Sequence, residues 1–221
     1  MNIKAILFDF DGTLANTNNL ILTSFDQAFT AVLGRPLPRE KIVRTFGLPL
    51  GECMEALVSD AALVPRLRAA YKEFHHSHHD EMIRPIEGVA QALALLKAQG
   101  LRLGVVTSKK RPMLQRGMAC VGISGYIDAA VAAGEAALPK PYPQPVLLAC
   151  RRLFVQPQEC ICVGDSYHDL QSGHAAGALT AAVRYTTLDW QEILEKGKPD
   201  FILNNLLELP EIIKSVNICK K

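Results

Sequence analysis

The sequence predicts an α/β fold: a parallel sheet covered by helices on both faces, with an all-helical segment inserted between the first strand and the others. Three observations carry this. Between Val89 and Val183, helix-length segments alternate with short apolar runs such as Leu101–Val106 and Leu179–Val183. Strands buried on both faces read as continuous apolar runs, the signature of a parallel sheet. Residues 18–80 show almost no strand pattern, and a chain of 221 residues with 49% hydrophobic content suits one large domain or a domain with an insertion.

The elements follow in order. Ile3–Phe8 is the opening strand. Leu20, Ile21, Ser24, Phe25, Ala28, Phe29 and Val32 recur at helical spacing, and Gly34-Arg35-Pro36 stops that helix. Shorter helices are expected near Arg39 to Arg44, Gly51 to Ser59 and Pro65 to His79. The alternation then begins with helix Val89 to Ala98 and strand Leu101 to Val106. It continues with helix Pro112 to Cys120, a strand near Tyr126 to Ala132 and helix Pro143 to Phe154. Strand Cys160 to Val163, helix Tyr167 to Ala176 and strand Leu179 to Val183 complete it. The division expected is a catalytic core of residues 1–15 and 85–221, with a helical domain over 16–84.

A formal net charge of +2, from 24 basic and 22 acidic residues spread along the chain, gives no field that implies nucleic acid or a membrane surface. No apolar run approaches the roughly 18 residues of a membrane helix, and the N-terminal stretch lacks the parts of a signal peptide. A cytoplasmic protein, monomeric or homodimeric, acting on a small molecule is therefore expected. Cys53, Cys120, Cys150, Cys160, Cys162 and Cys219 show no zinc-binding spacing, and are expected to be reduced and mostly buried.

In an open parallel sheet, ligands bind beyond the carboxyl ends of the strands, and the polar residues here fall at those ends. The first strand ends in Asp9-Phe10-Asp11-Gly12-Thr13-Leu14, the second in Thr107-Ser108-Lys109 and the fourth in Gly164-Asp165-Ser166-Tyr167-His168-Asp169; Lys140 stands in a loop ahead of the helix leading to the fourth strand. Asp and Gly also end strands for purely conformational reasons. Carboxylates, however, are poor occupants of a packed core, and a pair at a strand end is expected to face a cleft. Asp9, Asp165 and Asp169 offer hard oxygen donors that favour Mg²⁺. One carboxylate can then attack a phosphate whose charge the cation offsets. Lys140 and the Thr107 hydroxyl suit the remaining phosphate oxygens.

These segments resemble the four motifs of the haloacid dehalogenase superfamily: Asp9–Leu14, Val106-Thr107-Ser108, Lys140-Pro141-Tyr142-Pro143 and Gly164–Asp169, in family order. The resemblance implies a Rossmann-like core, Mg²⁺, a helical cap and hydrolysis of a small phosphorylated metabolite. It makes Asp9 the nucleophile and a metal ligand. Asp11 becomes the proton carrier, with its backbone carbonyl on the metal, Asp165 a further ligand, and Asp169 a support for the metal or Lys140. Gly12, Thr107, Ser108 and Lys140 would hold the phosphate. The dehalogenating members lack a residue like Asp11, so its presence points to phosphate esters. Within the superfamily the chain looks most like phosphoglycolate phosphatases and related pyrophosphatases. β-Phosphoglucomutase-like transfer, or binding without catalysis, are the alternatives.

Specificity is expected from the loop Arg44-Thr45-Phe46-Gly47-Leu48-Pro49-Leu50, where Arg44 or Thr45 would meet a second polar group of the substrate; an ordinary interhelical turn is the other reading. His75 and His79 lie one helical turn apart, but no third zinc ligand accompanies them. Lys109-Lys110-Arg111 is either a solvated helix start or an attractor of anions. His168 is a candidate for the cleft and His174 for a structural role.

Overall fold

The computed structural model describes residues 2–218; Cys219 lies outside them. β1 (Ala5–Phe8) is followed by the two-residue strand β2 (Ala15–Asn16). Four helices follow: α1 (Asn18–Leu33), α2 (Arg39–Val43), α3 (Leu50–Leu57) and α4 (Val64–Met82). β3 (Arg84–Pro85) then pairs antiparallel with β2, so the chain leaves and re-enters the sheet region at one place. The rest alternates: α5 (Val89–Ala98), β4 (Arg102–Val106), α6 (Arg111–Cys120), β5 (Ala129–Val131), α7 (Gln144–Arg152), β6 (Cys160–Gly164), α8 (Tyr167–Ala176) and β7 (Leu179–Val183). A helical turn α9 (Trp190–Glu192), β8 (Phe201–Leu203) and α10 (Leu209–Ile218) complete the described chain.

The large sheet has the order β5-β4-β1-β6-β7-β8, with every neighbouring pair parallel. Side chains alternate across it, as the strand repeat demands. Ile6, Phe8, Leu103, Val105, Ile161 and Val163 pack on one face with α5, α6 and α10. Ala5, Leu7, Cys160 and Cys162 pack on the other with α7. β1 is thus buried on both sides, which is why its sequence is continuously apolar. It also lies where the strand order reverses, the position that opens a crevice at the carboxyl edge.

The helices α1–α4 have a core of their own, built on Phe25, Phe29, Ile42, Met54, Leu67 and Tyr71. α1 stops where Gly34 takes a left-handed φ of 75° and donates its N–H to the Thr30 carbonyl. α4 carries Pro65 in its first turn, where a missing N–H costs nothing.

Several expectations need correction. The strand anticipated over 126–132 is shorter, because Ser124–Tyr126 forms a 3-10 turn and only Ala129–Val131 pairs with β4. The helix expected to reach Phe154 ends at Arg152, and Phe154 takes a positive φ with its ring exposed. β8 and α10 were not anticipated. Of the five described cysteines, Cys120 is exposed and the other four are buried, all as free thiols. Among the described residues no helix is long and apolar enough to cross a membrane.

Candidate active site

The carboxyl edge of the sheet gathers Asp9 after β1, Thr107 after β4, Asp165 after β6 and Lys140 from the loop before α7. All four line one cleft between the sheet and the α1–α4 block. Lys140 is 6% exposed and donates to three acceptors: Asp9 Oδ1 at 2.8 Å, Asp169 Oδ1 at 2.5 Å and the Val106 carbonyl at 3.1 Å. Asp169 is the third residue of α8 and caps it reciprocally with Ser166, accepting from the Ser166 N–H at 3.1 Å and hydroxyl at 2.6 Å. Both Asp169 oxygens are therefore spent, one on Lys140 and one on the helix start.

Charge is unbalanced here. Asp9, Asp165 and Asp169 place carboxylate oxygens within 4.8 Å of one another, against one ammonium. Burial pushes the Asp9 carboxyl up to about 7, against the pull of Lys140. Burial and then the neighbouring Asp169 and Asp9 drive Asp165 well above the ordinary carboxylate range. Burial works against the Lys140 charge, but Asp169 and Asp9 outweigh it and hold the ammonium more firmly than usual. An excess of buried negative charge with all-oxygen donors fits a hard divalent cation. With Asp169 occupied, Asp9 and Asp165 are the side chains free to hold one. Among the described residues this is the one group of three or more His, Cys, Asp or Glu side chains arranged to do so; His75 and His79 are not part of any.

Gly12 was expected to bind phosphate and does something else. Its N–H is taken by the Ala15 carbonyl. Its φ is +81°, and a Cβ there would lie 2.2 Å from Asp165 Oδ2. Glycine is required so that the turn after β1 can lie against Asp165. Asp11 enters the cleft ion-paired with Lys109, Nζ to Oδ1 at 2.9 Å. Burial would raise the Asp11 carboxyl, but Lys109 more than offsets it and the net shift is downward. Lys109 is thus neither a solvated helix start nor a free attractor of anions, while Arg111 opens α6 and pairs with Glu135.

The loop after α2 supplies part of the cleft, though not through the residues expected. Arg44 is exposed and away from the cleft, and Thr45 spends its hydroxyl on the Ile42 carbonyl at 2.7 Å. Phe46, Gly47 and Leu48 line the cleft instead. The Gly47 carbonyl accepts the Ser108 hydroxyl at 2.9 Å, so Ser108 joins the helical block to the sheet edge. A Cβ at Gly47 would lie 2.7 Å from His168 Nδ1, which places His168 beneath the loop and outside the cleft wall. His174 is structural, held by Asp200 and Thr180. Residues that the sequence did not assign to the cleft also line it: Phe25, Tyr71, Lys72, His75, Met113 and Leu188. Helical spacing marks Phe25 and Tyr71 only as core.

A two-faced parallel sheet carrying buried carboxylates and one lysine at its carboxyl edge defines an α/β enzyme that handles oxyanions. The haloacid dehalogenase-like hydrolase model matches residues 6–183, and the chain belongs to that family. Pyrophosphatase PpaX of Bacillus cereus (strain G9842) is 35% identical over 217 residues, covering 98% of this chain and 99% of its own. A PpaX relative from Clostridium perfringens is 38% identical over 215 residues, covering 97% and 99%. Among solved structures, CbbY from Rhodobacter sphaeroides in complex with phosphate is 27% identical, with a TM-score of 0.78 over 94% of this chain and 96% of its own.

Proposed function

We propose that the protein is a Mg²⁺-dependent phosphohydrolase working through an aspartyl-phosphate at Asp9, with inorganic pyrophosphate as its substrate. The observation that carries the chemistry is Asp9 itself, facing the cleft with Lys140 at 2.8 Å and an uncompensated carboxylate neighbour in Asp165. When bound, Mg²⁺ offsets the carboxylates and the phosphate charge so that the two can approach. An Asp9 oxygen forms the new bond to phosphorus as the bond to the leaving oxygen breaks; Asp11, ionised while it pairs with Lys109, takes up a proton from solvent as the substrate binds and passes it to that oxygen. Asp11 then takes a proton from a water that attacks the acyl phosphate, releasing phosphate and the Asp9 carboxylate. Lys140 and the Thr107 hydroxyl hold the transferred group. The α1–α4 block acts as a cap that limits water in the cleft.

The choice of pyrophosphate rests on two supports. Lys72 and Lys110 line both this cleft and an adjoining cavity of about 450 Å³ that also reaches Thr107 and Lys140. Neither lysine has a carboxylate partner among the described residues, so both are available to the second phosphate. Relatives at 35% identity over nearly the whole chain carry the pyrophosphatase name. Hydrolysis of 2-phosphoglycolate, favoured by the sequence resemblance, would use the same lysines on a carboxylate.

The test is phosphate release from pyrophosphate and 2-phosphoglycolate, with Mg²⁺ or a chelator. Pyrophosphate is expected to show the higher kcat/KM, turnover to need the cation, and Asp9→Asn to abolish it. Preference for 2-phosphoglycolate would overturn the substrate assignment. Full activity of Asp9→Asn would overturn the mechanism.

A further inference from the structure

The part of the cleft under the helical block is not built for a second anion. It is a chamber, the apolar part of a cleft of about 210 Å³ that also takes in Asp9, Asp165 and Lys140, and its lining is made by Ile21, Phe25, Phe46, Tyr71, Met113 and Leu188. The Phe25 and Tyr71 rings meet edge to face with centroids 5.0 Å apart, and the His75 ring stacks on Tyr71 at 5.4 Å, giving a continuous aromatic surface. The cations that border it are poorly placed to serve a buried anion. Lys109 is neutralised by Asp11. Burial, aided by Lys109, pushes His75 down to about 3, so its ring is uncharged near neutrality. Lys72 and Lys110 are exposed, at the border with the second cavity. A charged group in this chamber would lose hydration without a partner, whereas an apolar one gains by leaving water.

We propose that the chamber is a second leaving-group site, for a single aromatic ring, and that the protein also hydrolyses phosphate monoesters of aromatic alcohols. The size fits: an apolar cavity of about 150 Å³ holds a benzene molecule, so a cleft of 210 Å³ that includes the Asp9 end takes one ring and the phosphoryl group joined to it, and little more. Offset or edge-on packing against Phe25 and Phe46 would favour a ring over an alkyl chain. The chemistry rests on the phosphohydrolase reading and needs no new reactant. Asp9 bonds to phosphorus, the ester P–O bond breaks, a proton that Asp11 has taken up from solvent leaves on the alcohol oxygen, and water then cleaves the acyl phosphate to release phosphate. The binding half stands without it.

Two measurements separate these halves. Titration calorimetry of the full chain with Mg²⁺ compares benzylphosphonate with ethylphosphonate, neither of which can be hydrolysed. The benzyl compound is expected to bind on the order of tenfold more tightly or better, the effect of burying one ring. The ratio is expected to fall toward one in Phe46→Ala, from the helical block, and in Met113→Ala, from the sheet side. Equal affinities in the wild type, or binding of neither compound, would overturn the chamber. Phosphate release from benzyl phosphate and ethyl phosphate then gives the activity. A benzyl preference in binding with no release from any ester or from pyrophosphate would sink the phosphohydrolase reading and leave the chamber standing. Pyrophosphate turnover with equal phosphonate affinities would do the reverse.

Discussion

Asp169 offers the most exacting test of the charge arrangement, because the effect of Asp169→Asn should depend on whether the divalent cation is present. The carboxylate is 6% exposed and pairs with Lys140 at 2.5 Å. Removing one partner of a buried pair typically costs about 3–5 kcal/mol. Asn keeps an oxygen for the Ser166 N–H, so the α8 cap largely survives and the loss is electrostatic. With Mg²⁺ bound, the three carboxylates, the lysine and the cation sum to neutrality, and the substitution leaves one positive charge in excess; the full loss is expected. Without the cation the same substitution also removes a repulsion. At pH 8, above the raised Asp9 value of about 7, ionised Asp9 and Asp169, with oxygens within 4.8 Å, repel by about 3 kcal/mol at an effective dielectric of 20. The net loss should then shrink to about 1–2 kcal/mol or vanish. Urea unfolding of wild type and variant, in saturating Mg²⁺ and in chelator, measures both values by linear extrapolation. An equal loss in the two media, or a greater one in chelator, would refute the reasoning.

Two further outcomes follow from the same geometry. Asp9 and Asp165 have folded-state pKa values raised above the unfolded ones, Asp9 from 3.8 to about 7. The cation-free folded state therefore binds more protons than the unfolded chain, and their contribution to stability is present below the unfolded value and lost as pH rises through the folded one. Because Mg²⁺ needs the ionised forms, the stabilisation it gives should grow between about pH 4 and 7. His75, shifted downward, contributes in the opposite sense but in both media, so it cancels from that difference; a Mg²⁺ stabilisation that is flat with pH, followed by thermal unfolding, would contradict the assignment. Gly47→Ala places a Cβ at φ +90° and 2.7 Å from His168 Nδ1. The strain of about 1–2 kcal/mol should disturb the Ser108–Gly47 contact and lower kcat/KM on the order of tenfold, and unchanged kinetics would show that this contact does not matter to closure.

That Asp9, Asp165 and Lys140 would meet in one cleft was readable in the sequence because carboxylates cannot be hidden in a parallel sheet. Asp9 and Asp165 had to emerge at strand ends, and consecutive strand ends of one sheet share a rim. What was not readable depended on which way a loop or helix faces. Within Arg44–Leu50 the loop position was evident but the residues facing the cleft were not. Thr45 satisfies its hydroxyl on the carbonyl three residues back, and the orientation of Phe46 follows from the left-handed Gly47 and its tie to Ser108. Gly12 looked like a phosphate cradle because its other task, making room for Asp165, involves a residue 153 positions away. β8 escaped notice for a different reason: it has three residues, lies at the sheet edge and leaves Ile202 42% exposed, so it carries no periodic signal.

The helical spacing of Phe25 and Tyr71 was correct as a sign of burial and still incomplete, and the reason bears on how the protein selects substrates. Both belong to the core of the α1–α4 block and both border the chamber. The block therefore presents part of its own hydrophobic core to the cleft. A wall of that kind cannot be tuned for substrates without changing the packing of the block, whereas Lys72 and Lys110 are exposed and can vary freely. The two lobes should therefore differ in how they tolerate change. Charge selection at the lysines can be altered by single surface substitutions worth little to stability. Ring selection in the chamber is tied to core packing, where truncating a large side chain costs about 2–5 kcal/mol. Selection for one leaving group would erode the lysine lobe first, and the aromatic chamber would persist for as long as the block stays folded.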